Sequence, residues 1–312
     1  MTESMQILKQ GKPALAFLYL FTQTPLHIGA GSSVGAIDLP IIRERHTGFP
    51  IIPGSAIKGV FRDEWVKKDT LEITDEGKKL FGVGSDSEAQ SGLIQFTEAK
   101  LLAFPIRSLK GCFAWITSPL ILKRYFRDLH KNDFSMPNSL IDNKALFKKD
   151  NPISIEDHST TAKVILEEYI FEYLDDPPEI LYSILTEELT HKNEILKEIP
   201  KRIVIVSDGT MSFFTQTACQ IAQHVKIDDK TGTAEEGALF NQENVPSETL
   251  FYSVVRRSSI KNDSFDPFEK LTSKIKEKNH LFQFGADAGT GLGYCTTFLN
   301  YKLHIQQSEN QF

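Results

Sequence analysis

A stretch of 32 residues, from Thr24 to Ser55, constrains the fold of this chain more than any other feature. It holds five glycines and four prolines. That density forbids a continuous helix, because proline lacks a backbone N–H donor and both residues break helices. Loops of this length inside compact domains are usually functional or disordered. Because apolar residues are interspersed here, which argues against disorder, we predict an ordered irregular segment with a functional role.

The composition indicates a soluble globular protein. Of the 312 residues, 40% are hydrophobic and 24% are charged, and no run approaches the roughly 18 uninterrupted apolar residues of a membrane span. The start, MTESMQILKQGKP, lacks the apolar core of a signal peptide. Three distant cysteines form neither a CxxC motif nor a paired framework, which disfavours a zinc knuckle and fits a reducing cytoplasm. The net charge of -6 excludes a broadly basic nucleic-acid coat but not a local basic groove.

The order of predicted elements favours an α+β fold with an antiparallel sheet, as in ferredoxin-like domains. Residues 14–22 are apolar on both faces, which is typical of a buried central strand. Ser55 is expected to cap a helix whose apolar residues recur at helical spacing. Polar, interrupted residues at 131–160 predict a surface insertion. Further strands are predicted over 91–106, 202–208 and on both sides of 285–293, and further helices over 119–130, 179–199 and 266–280.

Residues 218–260 are predicted to form two long strands around a turn at 228–232, where aspartate, lysine and glycine match hairpin chemistry. Two interpretations are open for this hairpin. It could protrude, reach into a partner and wedge apolar side chains between bases. Alternatively, it is an ordinary sheet edge that Pro246 protects from aggregation.

Two segments have the chemistry of anion sites. Residues 53–59 place a glycine before a helix and Lys58 in its first turn, so that backbone N–H groups, the helix dipole and the lysine favour a phosphate. Residues 285–293 hold four glycines between two strands. Such loops cradle phosphates, although a wide turn with bulges has the same composition. The glycine cluster at 29–35 does not favour a dinucleotide loop, because Pro40 prevents the helix that such a loop opens.

Charged residues of the irregular segment admit two interpretations. Asp38 either caps a turn through its own backbone, the commoner role of a loop aspartate, or presents a carboxylate to a substrate. Arg43, Arg45 and His46 either form internal ion pairs on a solvated face or face phosphates, for which the planar arginine fork is suited. The eight histidines form no cluster with metal-ligand spacing.

Four blocks of the sequence resemble the RAMP-superfamily backbone subunits of type III-B CRISPR effector complexes, the family of the fourth subunit of the Cmr complex. They occur in order over nearly the whole chain. The first is the most specific, whereas the glycine-rich block alone indicates only the wider superfamily. The blocks are PLHIGAGSSVGAIDLPIIRERHTGFPIIPGSAIKGVFRDE (25–64), LLAFPIRSLKGCFAWITSPL (101–120), EEGALFNQENVPSETLF (235–251) and FGADAGTGLG (284–293).

The resemblance implies a domain organisation and an assembly. An α+β palm similar to an RNA-recognition motif would be formed by about residues 12–130 and 200–312, with a helical finger insertion at about 131–200 and a β-hairpin thumb at about 218–257. Copies of the chain would stack as a filament along a guide CRISPR RNA, together with other effector subunits. Each thumb would disrupt pairing with target RNA at regular intervals, and the target would be cut there, in antiviral defence.

The resemblance also implies site residues. The family's catalytic aspartate lies in a glycine-aliphatic-aliphatic-Asp-x-Pro motif, here Gly35–Pro40, which assigns cleavage to Asp38 and favours its functional interpretation. Asp38 would accept a proton or transiently hold Mg²⁺ or another divalent cation, and the products would be a 2′,3′-cyclic phosphate and a 5′-hydroxyl. His27 and Glu243 are the expected catalytic support. RNA contacts are expected from Arg43, Arg45, His46, Ser55, Lys58, Arg107, Lys110, Gly289, Thr290, Gly291 and Gly293.

Two other functions stay open at the level of sequence. The chain could be a structural protomer that binds guide RNA and does not cut; retention of Asp38 favours the catalytic alternative. The glycine loops alone would also suit a free-standing nucleotide-binding enzyme, against which the break at Pro40 argues.

Overall fold

The computed structural model describes residues 14–33, 35–84, 90–131, 134–137, 140–156, 161–189, 193–228, 230–258 and 265–301. The strands in these ranges are β1 (Leu15–Thr22), β2 (Ile51–Ile52), β3 (Gly82–Val83), β4 (Gln90–Ser91), β5 (Ile94–Phe96), β6 (Ala99–Arg107), β7 (Phe113–Thr117), β8 (Lys144–Leu146), β9 (Lys163–Leu166), β10 (Tyr169–Asp175), β11 (Ile203–Ile205), β12 (Gln220–Ile227), β13 (Ala234–Asn244), β14 (Leu250–Arg257), β15 (Leu281–Gln283) and β16 (Tyr294–Asn300). The α-helices are α1 (Gly54–Asp63), α2 (Asp75–Phe81), α3 (Pro119–Asp128), α4 (Glu179–Leu189), α5 (Ile199–Arg202), α6 (Asp208–Thr217) and α7 (Pro267–Glu277).

Six elements form a ferredoxin-like palm. In chain order they are β1, α1, β6, β14, α7 and β16. The four strands lie side by side in the order β16–β1–β14–β6, and every neighbouring pair is antiparallel. This arrangement confirms the predicted α+β fold with an antiparallel sheet. Among the residues named above, no helix has the length and apolar character needed to cross a membrane.

β1 lies at the centre of the palm because both of its faces are apolar. Seven of its eight residues are buried. Phe17 and Tyr19 pack against Tyr125 of α3 on one face. The other face is covered by α1, whose Phe61 contacts Phe282 of β15, a residue that the strand register places on that side. The prediction of a buried central strand is therefore confirmed.

The sheet continues past β6 into the segment expected to be a helical insertion. β7, β11, β8, β10 and β9 extend it in that order, and the β7–β11 and β8–β10 pairs are parallel. Residues 131–200 thus contribute three strands as well as α4. These strands have only three to seven residues each, so their alternation is too brief to stand out from the polar loops between them.

The hairpin is shorter than the sequence predicts. Among the named strands, β12 and β13 pair only with each other, in a separate two-stranded sheet, and Ile221, Val225 and Leu239 on them are exposed. The next strand, β14, belongs to the palm instead, because its first six residues are buried between β1 and β6. The separate hairpin therefore consists of β12 and β13, whereas the predicted thumb limits of 218–257 also include β14. The break falls after Val245, where Pro246 interrupts the strand.

Asp128, at the end of α3, anchors that helix to the palm. Its carboxylate accepts hydrogen bonds from Nζ of Lys100 in β6 (2.8 Å) and from the hydroxyl of Tyr252 in β14 (3.1 Å). Burial opposes ionisation of this carboxyl, but hydrogen bonds and charges from Lys100 and Arg127 outweigh burial and hold the pKa of Asp128 below its ordinary value of 3.8. The ionised form therefore contributes to stability.

Asp128→Asn is expected to lower the free energy of unfolding at pH 7 by about 1–3 kcal/mol, because Lys100 and Tyr252 lose a charged acceptor. Since the pKa of Asp128 is depressed in the folded chain, its contribution is present above 3.8 and is lost as the pH falls below that value. Urea unfolding of both forms, in steps from pH 7 to pH 3, measures the difference. A deficit that stays constant over this range would contradict the assignment.

Candidate functional site

The irregular segment folds into an ordered loop that returns on itself. The N–H of Ile42 donates to Ile28 O (2.8 Å), that of Ala30 donates to Pro40 O (2.9 Å), and that of Ser33 donates to Asp38 O (2.9 Å). These bonds satisfy backbone groups that no helix or sheet would satisfy here. The described residues of 24–50 are thus ordered without a helix or a named strand, as predicted, and only β2 and the start of α1 complete the segment. The segment carries Asp38 near its tip.

Asp38 is attached to strand β13 through Asn241. Its Oδ2 accepts a hydrogen bond from the backbone N–H of Asn241 (2.8 Å), and its own backbone N–H donates to Asn241 Oδ1 (2.8 Å). Leu39 continues the contact as a parallel bridge to Gln242. Oδ1 of Asp38 has no hydrogen-bond partner among the residues the structure describes, and the residue is only half-buried. One carboxylate oxygen is therefore held and the other is available.

His27 lies where three segments meet. It is 5% exposed, and its Nδ1 lies 2.7 Å from the carbonyl oxygen of Glu243. Because a carbonyl only accepts, Nδ1 carries the hydrogen, which leaves Nε2 as the acceptor nitrogen of the neutral ring. A Cβ on Gly29 would lie 3.0 Å from Nε2, so glycine there leaves room for the ring. The backbone oxygen of His27 accepts from Ala286 N (3.0 Å).

The glycine loop, residues 285–293, packs against the same place. At Gly285 (φ +78°) and Gly293 (φ +79°) an added Cβ would lie about 2 Å from a backbone oxygen, so only glycine fits these two close approaches. Asp287 accepts a hydrogen bond from Gln242 Nε2 (2.8 Å), which fixes the loop to β13. Gly289 and Thr290 are exposed. The loop therefore presents open backbone at its tip while its base is fixed beside His27.

The buried Glu243 and the half-buried Arg43 form an ion pair. The Arg43 guanidinium pairs with Glu243 Oε1 (2.5 Å) and also donates to Gly48 O (2.7 Å) and to Cys219 Sγ (3.3 Å). Oε2 of Glu243 accepts from the backbone of Ile41 (3.0 Å). Burial raises the pKa of the Cys219 thiol to about 11, although Arg43 opposes that rise. The hydrogen-bonding capacity of Arg43 is thus directed inward, which favours the ion-pair interpretation over a phosphate contact.

The next charges along the segment divide between two roles. Glu44 receives both hydrogen bonds of Arg124 Nη1 from α3 (2.9 and 3.1 Å). Burial opposes ionisation of Glu44, but Thr47 and Arg124 outweigh burial and lower its pKa. His46 Nε2 lies 2.9 Å from Arg124 Nη2 on the surface. Arg45 is exposed and makes no ion pair with any residue in the described ranges, so it is the residue of this group best placed to meet an external phosphate.

The start of α1 differs from the predicted cap but keeps the anion chemistry. The N-cap is Pro53, and no side chain caps the helix, so the prediction that Ser55 is the cap is wrong. Proline needs no donor at this boundary, and its fixed φ suits a helix start. Ser55 and Lys58 instead line a groove of about 680 Å³ together with Arg62. The first turn contains no acidic residue, so the groove combines free N–H groups with two cations.

Arg107 and Lys110 lie elsewhere. Arg107 pairs with Glu167 (2.9 Å), and Lys110 Nζ donates to Ser154 O (2.5 Å). Both contacts are to the 131–200 segment, at the turn between β6 and β7. The structure therefore brings Asp38, His27, Glu243 and the glycine loop together around β13, and places these two cations in a different contact set.

The donor set limits the kind of metal site that fits. Within the described ranges, no three His, Cys, Asp or Glu side chains group as metal ligands. A resident zinc or calcium cage therefore does not fit. A magnesium ion held by one carboxylate, with the remaining ligands from phosphate and water, does fit, because Mg²⁺ commonly binds through one or two carboxylates plus substrate phosphates. The available oxygen of Asp38 is a ligand of this kind.

Two features of the site escape the sequence analysis. Asn241 contacts Asp38, but its sequence block shows only that an amide lies two residues before Glu243. Helix α6 supports the segment through a hydrogen bond from Ser212 Oγ to Thr47 O (2.7 Å). The cap by Ser207, which accepts from Thr210 N, together with Asp208 in the first turn, is a helix-start signal that could have revealed α6.

Comparisons with known proteins find relatives that match most of this chain. The family model of the RAMP superfamily matches residues 20–296. The CRISPR system Cmr endoribonuclease Cmr4 of Pyrococcus furiosus is 37% identical over 280 residues, which are 88% of this chain and 92% of that protein. A crystal structure of oligomeric Cmr4 from Pyrococcus furiosus covers 93% of this chain and 98% of its own, with 30% identity and a TM-score of 0.66. A type III-B Cmr-beta complex bound to cognate target RNA contains a chain with 20% identity and a TM-score of 0.65, covering 91% of this chain and 96% of its own, which shows the shared fold.

Arg43→Ala is expected to lower the free energy of unfolding by about 3–5 kcal/mol, because it leaves the Glu243 carboxylate buried without its partner. Arg45→Ala is the matched control, and because Arg45 is exposed the free energy should change by less than about 0.5 kcal/mol. Urea unfolding of the three forms measures both. A stable Arg43→Ala chain would show that Arg43 faces an external ligand instead of the interior.

Proposed function

The chain belongs to the RAMP superfamily, in the branch that contains Cmr4 of Pyrococcus furiosus, and from that premise we propose that it is a backbone subunit of a type III-B CRISPR ribonucleoprotein. Copies of the chain bind guide RNA in a filament with other effector subunits in the cytoplasm. Each copy cleaves complementary target RNA through Asp38. The endoribonuclease activity named for the Pyrococcus relative supports the cleavage, and the oligomeric Cmr4 crystal supports the self-association.

One observation carries the catalytic assignment. Asp38 is held at the hairpin strand by Asn241 with one oxygen occupied and one available. The same strand receives the glycine loop through Gln242 and Asp287. A carboxylate fixed between a hairpin and a backbone-rich loop is placed where RNA lying against both would pass. This geometry supplies orientation, which is the main requirement of a reaction whose nucleophile belongs to the substrate.

The chemistry needs little covalent participation from the protein. The 2′-hydroxyl of the target attacks the adjacent phosphorus, the bond from phosphorus to the 5′-oxygen breaks, and a 2′,3′-cyclic phosphate and a 5′-hydroxyl result. Asp38 accepts the proton that leaves the 2′-hydroxyl, and the 5′-oxygen takes a proton from water. A splayed nucleotide aligns the attacking and leaving oxygens. Exposed apolar residues of the β12–β13 hairpin, including Leu239, are suited to hold that nucleotide apart.

The surrounding residues position this carboxylate. His27 fixes the backbone of β13 on one side and the glycine loop on the other. Glu243 holds the irregular segment by accepting a hydrogen bond from Ile41 N–H and by pairing with the Arg43 guanidinium. Mg²⁺ or another divalent cation, shared between Asp38 and the RNA, would supply charge stabilisation at the phosphate. We assign a positioning role to His27 and Glu243, and the proton transfer to Asp38.

Guide RNA is held by contacts that do not depend on its sequence. The start of α1 offers backbone N–H groups with Lys58 and Arg62, and the tip of the glycine loop offers Gly289 and Thr290. Phosphate contacts of this kind fix position without reading bases, as a protein that accepts any guide requires. Arg45 adds an exposed cation on the irregular segment. The net charge of -6 is compatible with local basic surfaces of this size.

A structural protomer without cleavage is the second candidate. It would have the same fold and the same phosphate contacts. It is favoured only because, within the described residues, Asp38 is not part of a group of three metal-ligating side chains. The available carboxylate oxygen favours the catalytic function. The two candidates differ in one measurable property, the fate of bound target RNA.

Asp38→Ala is expected to assemble with guide RNA and partner subunits normally and to leave target RNA intact, because no group remains to take the proton from the 2′-hydroxyl. The complex is reconstituted and incubated with end-labelled complementary RNA and Mg²⁺. Wild type should give products at a constant nucleotide spacing, and Asp38→Ala should give none.

Asp38→Asn is the matched control, since it keeps the shape and its amide oxygen can accept the Asn241 N–H, but it cannot accept the proton. It should be as inactive as Asp38→Ala. Cleavage by either variant would remove Asp38 from the chemistry, and an intact target with wild type would leave the structural protomer.

Lys58→Ala is expected to weaken guide RNA binding equally for all guide sequences, because it removes a phosphate contact. The slope of log affinity against log salt should fall by about 0.7. Lys276→Ala, which removes an exposed lysine of α7, is the control and should leave the slope unchanged. Filter binding across a salt series measures both, and equal slopes for Lys58→Ala and wild type would exclude the α1 groove from the RNA path.

A further inference from the structure

Asn241 uses all of its hydrogen-bonding groups on one short segment. Its backbone N–H donates to Asp38 Oδ2 (2.8 Å), and its carbonyl accepts from Leu39 N (3.1 Å). Its side-chain Oδ1 accepts from Asp38 N (2.8 Å), and its Nδ2 donates to Ala36 O (3.1 Å). Four bonds from one residue therefore determine the position of residues 36–39 against β13.

We propose that Asn241 is the positioning residue for the catalytic carboxylate, and that through it the position of the β12–β13 hairpin sets the reactivity of Asp38. This inference rests on the proposed catalytic role of Asp38. Asn241 itself touches no reacting atom in this scheme. It acts by fixing the backbone on both sides of Asp38 and one of the two carboxylate oxygens.

The two side-chain hydrogen bonds at position 241 require the amide of an asparagine. An amide supplies an acceptor for Asp38 N–H and a donor for Ala36 O at the same time. Aspartate at position 241 would keep the acceptor, but it would replace the donor by an oxygen facing Ala36 O and would place a second negative charge beside Asp38. Alanine would remove both side-chain bonds and leave only the two backbone bonds.

The neighbouring residue explains why the connection reaches the hairpin. Gln242 is buried and donates to Asp287 of the glycine loop, so consecutive residues of β13 bond the Asp38 segment and the glycine loop. β13 is also one strand of the two-stranded hairpin. Loss of the Asn241 bonds would leave the glycine loop attached to β13 and let Asp38 move relative to that loop. A displacement of about 1 Å can reduce a rate by about 100-fold.

The test measures chemistry and binding separately in the reconstituted complex. Single-turnover cleavage with the complex in saturating excess over target RNA, and the dissociation constant for target RNA, are measured for wild type, Asn241→Ala, Asn241→Asp and Asp38→Ala. We expect the cleavage rate of Asn241→Ala and of Asn241→Asp to fall by about 10- to 100-fold, with target affinity within about twofold of wild type. Asn241→Asp keeps the side-chain volume and guards against an effect of simple cavity formation.

Asn300→Ala is the matched control for loss of a bonded amide. Asn300 of β16 donates through Nδ2 to Glu188 Oε2 of α4 (2.7 Å). Loss of this bond should lower the melting temperature and leave the cleavage rate unchanged. Wild-type rates in both Asn241 variants would overturn the positioning role. Rate losses matched by equal losses of target affinity would overturn it in favour of a structural role. Wild-type cleavage by Asp38→Ala would instead overturn the proposed function itself, so the two failures are distinguishable.

Discussion

The structure depends on how an irregular segment finds partners for its backbone polar groups. The described residues of 24–50 belong to no helix and to no named strand, yet buried N–H and C=O groups must be paired. Strand β13 supplies that pairing. Leu26 and Val245 exchange two backbone bonds (2.8 and 2.9 Å), and Leu39 bridges Asn241 and Glu243 (3.1 and 3.0 Å). An edge of a separate hairpin thus becomes the scaffold for the loop that carries Asp38.

This pairing explains why the charged residues around the site face inward. Once the segment lies on β13, the Glu243 carboxylate is 3% exposed and must be compensated. Arg43 provides the compensation and at the same time connects Gly48 and Cys219. The ion pair is therefore a consequence of where the segment docks. The arginines of this segment, whose charge alone would suit a phosphate, therefore differ in role. Arg43 is used in an internal ion pair, whereas Arg45 stays exposed.

The sequence predicts the palm well because its signals are local. β1 is apolar on both faces, and α7 has a helical stripe capped by Asp266, so neither depends on distant context. The limits of the hairpin were not predictable, because β13 and β14 follow each other with only a short break and their separation is decided by burial against β1. Ser55 failed as a cap for a similar reason: the position of Gly54 is set by close approach to Phe96 O, where a Cβ would lie at 2.6 Å.

Asp38 shows how a residue that is ordinary in the sequence can still suit the proposed catalytic role. A loop aspartate usually bonds nearby backbone N–H groups, and Asp38 does take such a bond, though from Asn241, which is 203 positions away. A carboxylate has two oxygens with several acceptor positions. One oxygen suffices to hold the loop, and the other is free to act on a substrate. The structural and the catalytic interpretations of this residue are therefore compatible, and the first is the condition for the second, because an aspartate that was not held by β13 would have no fixed position relative to bound RNA.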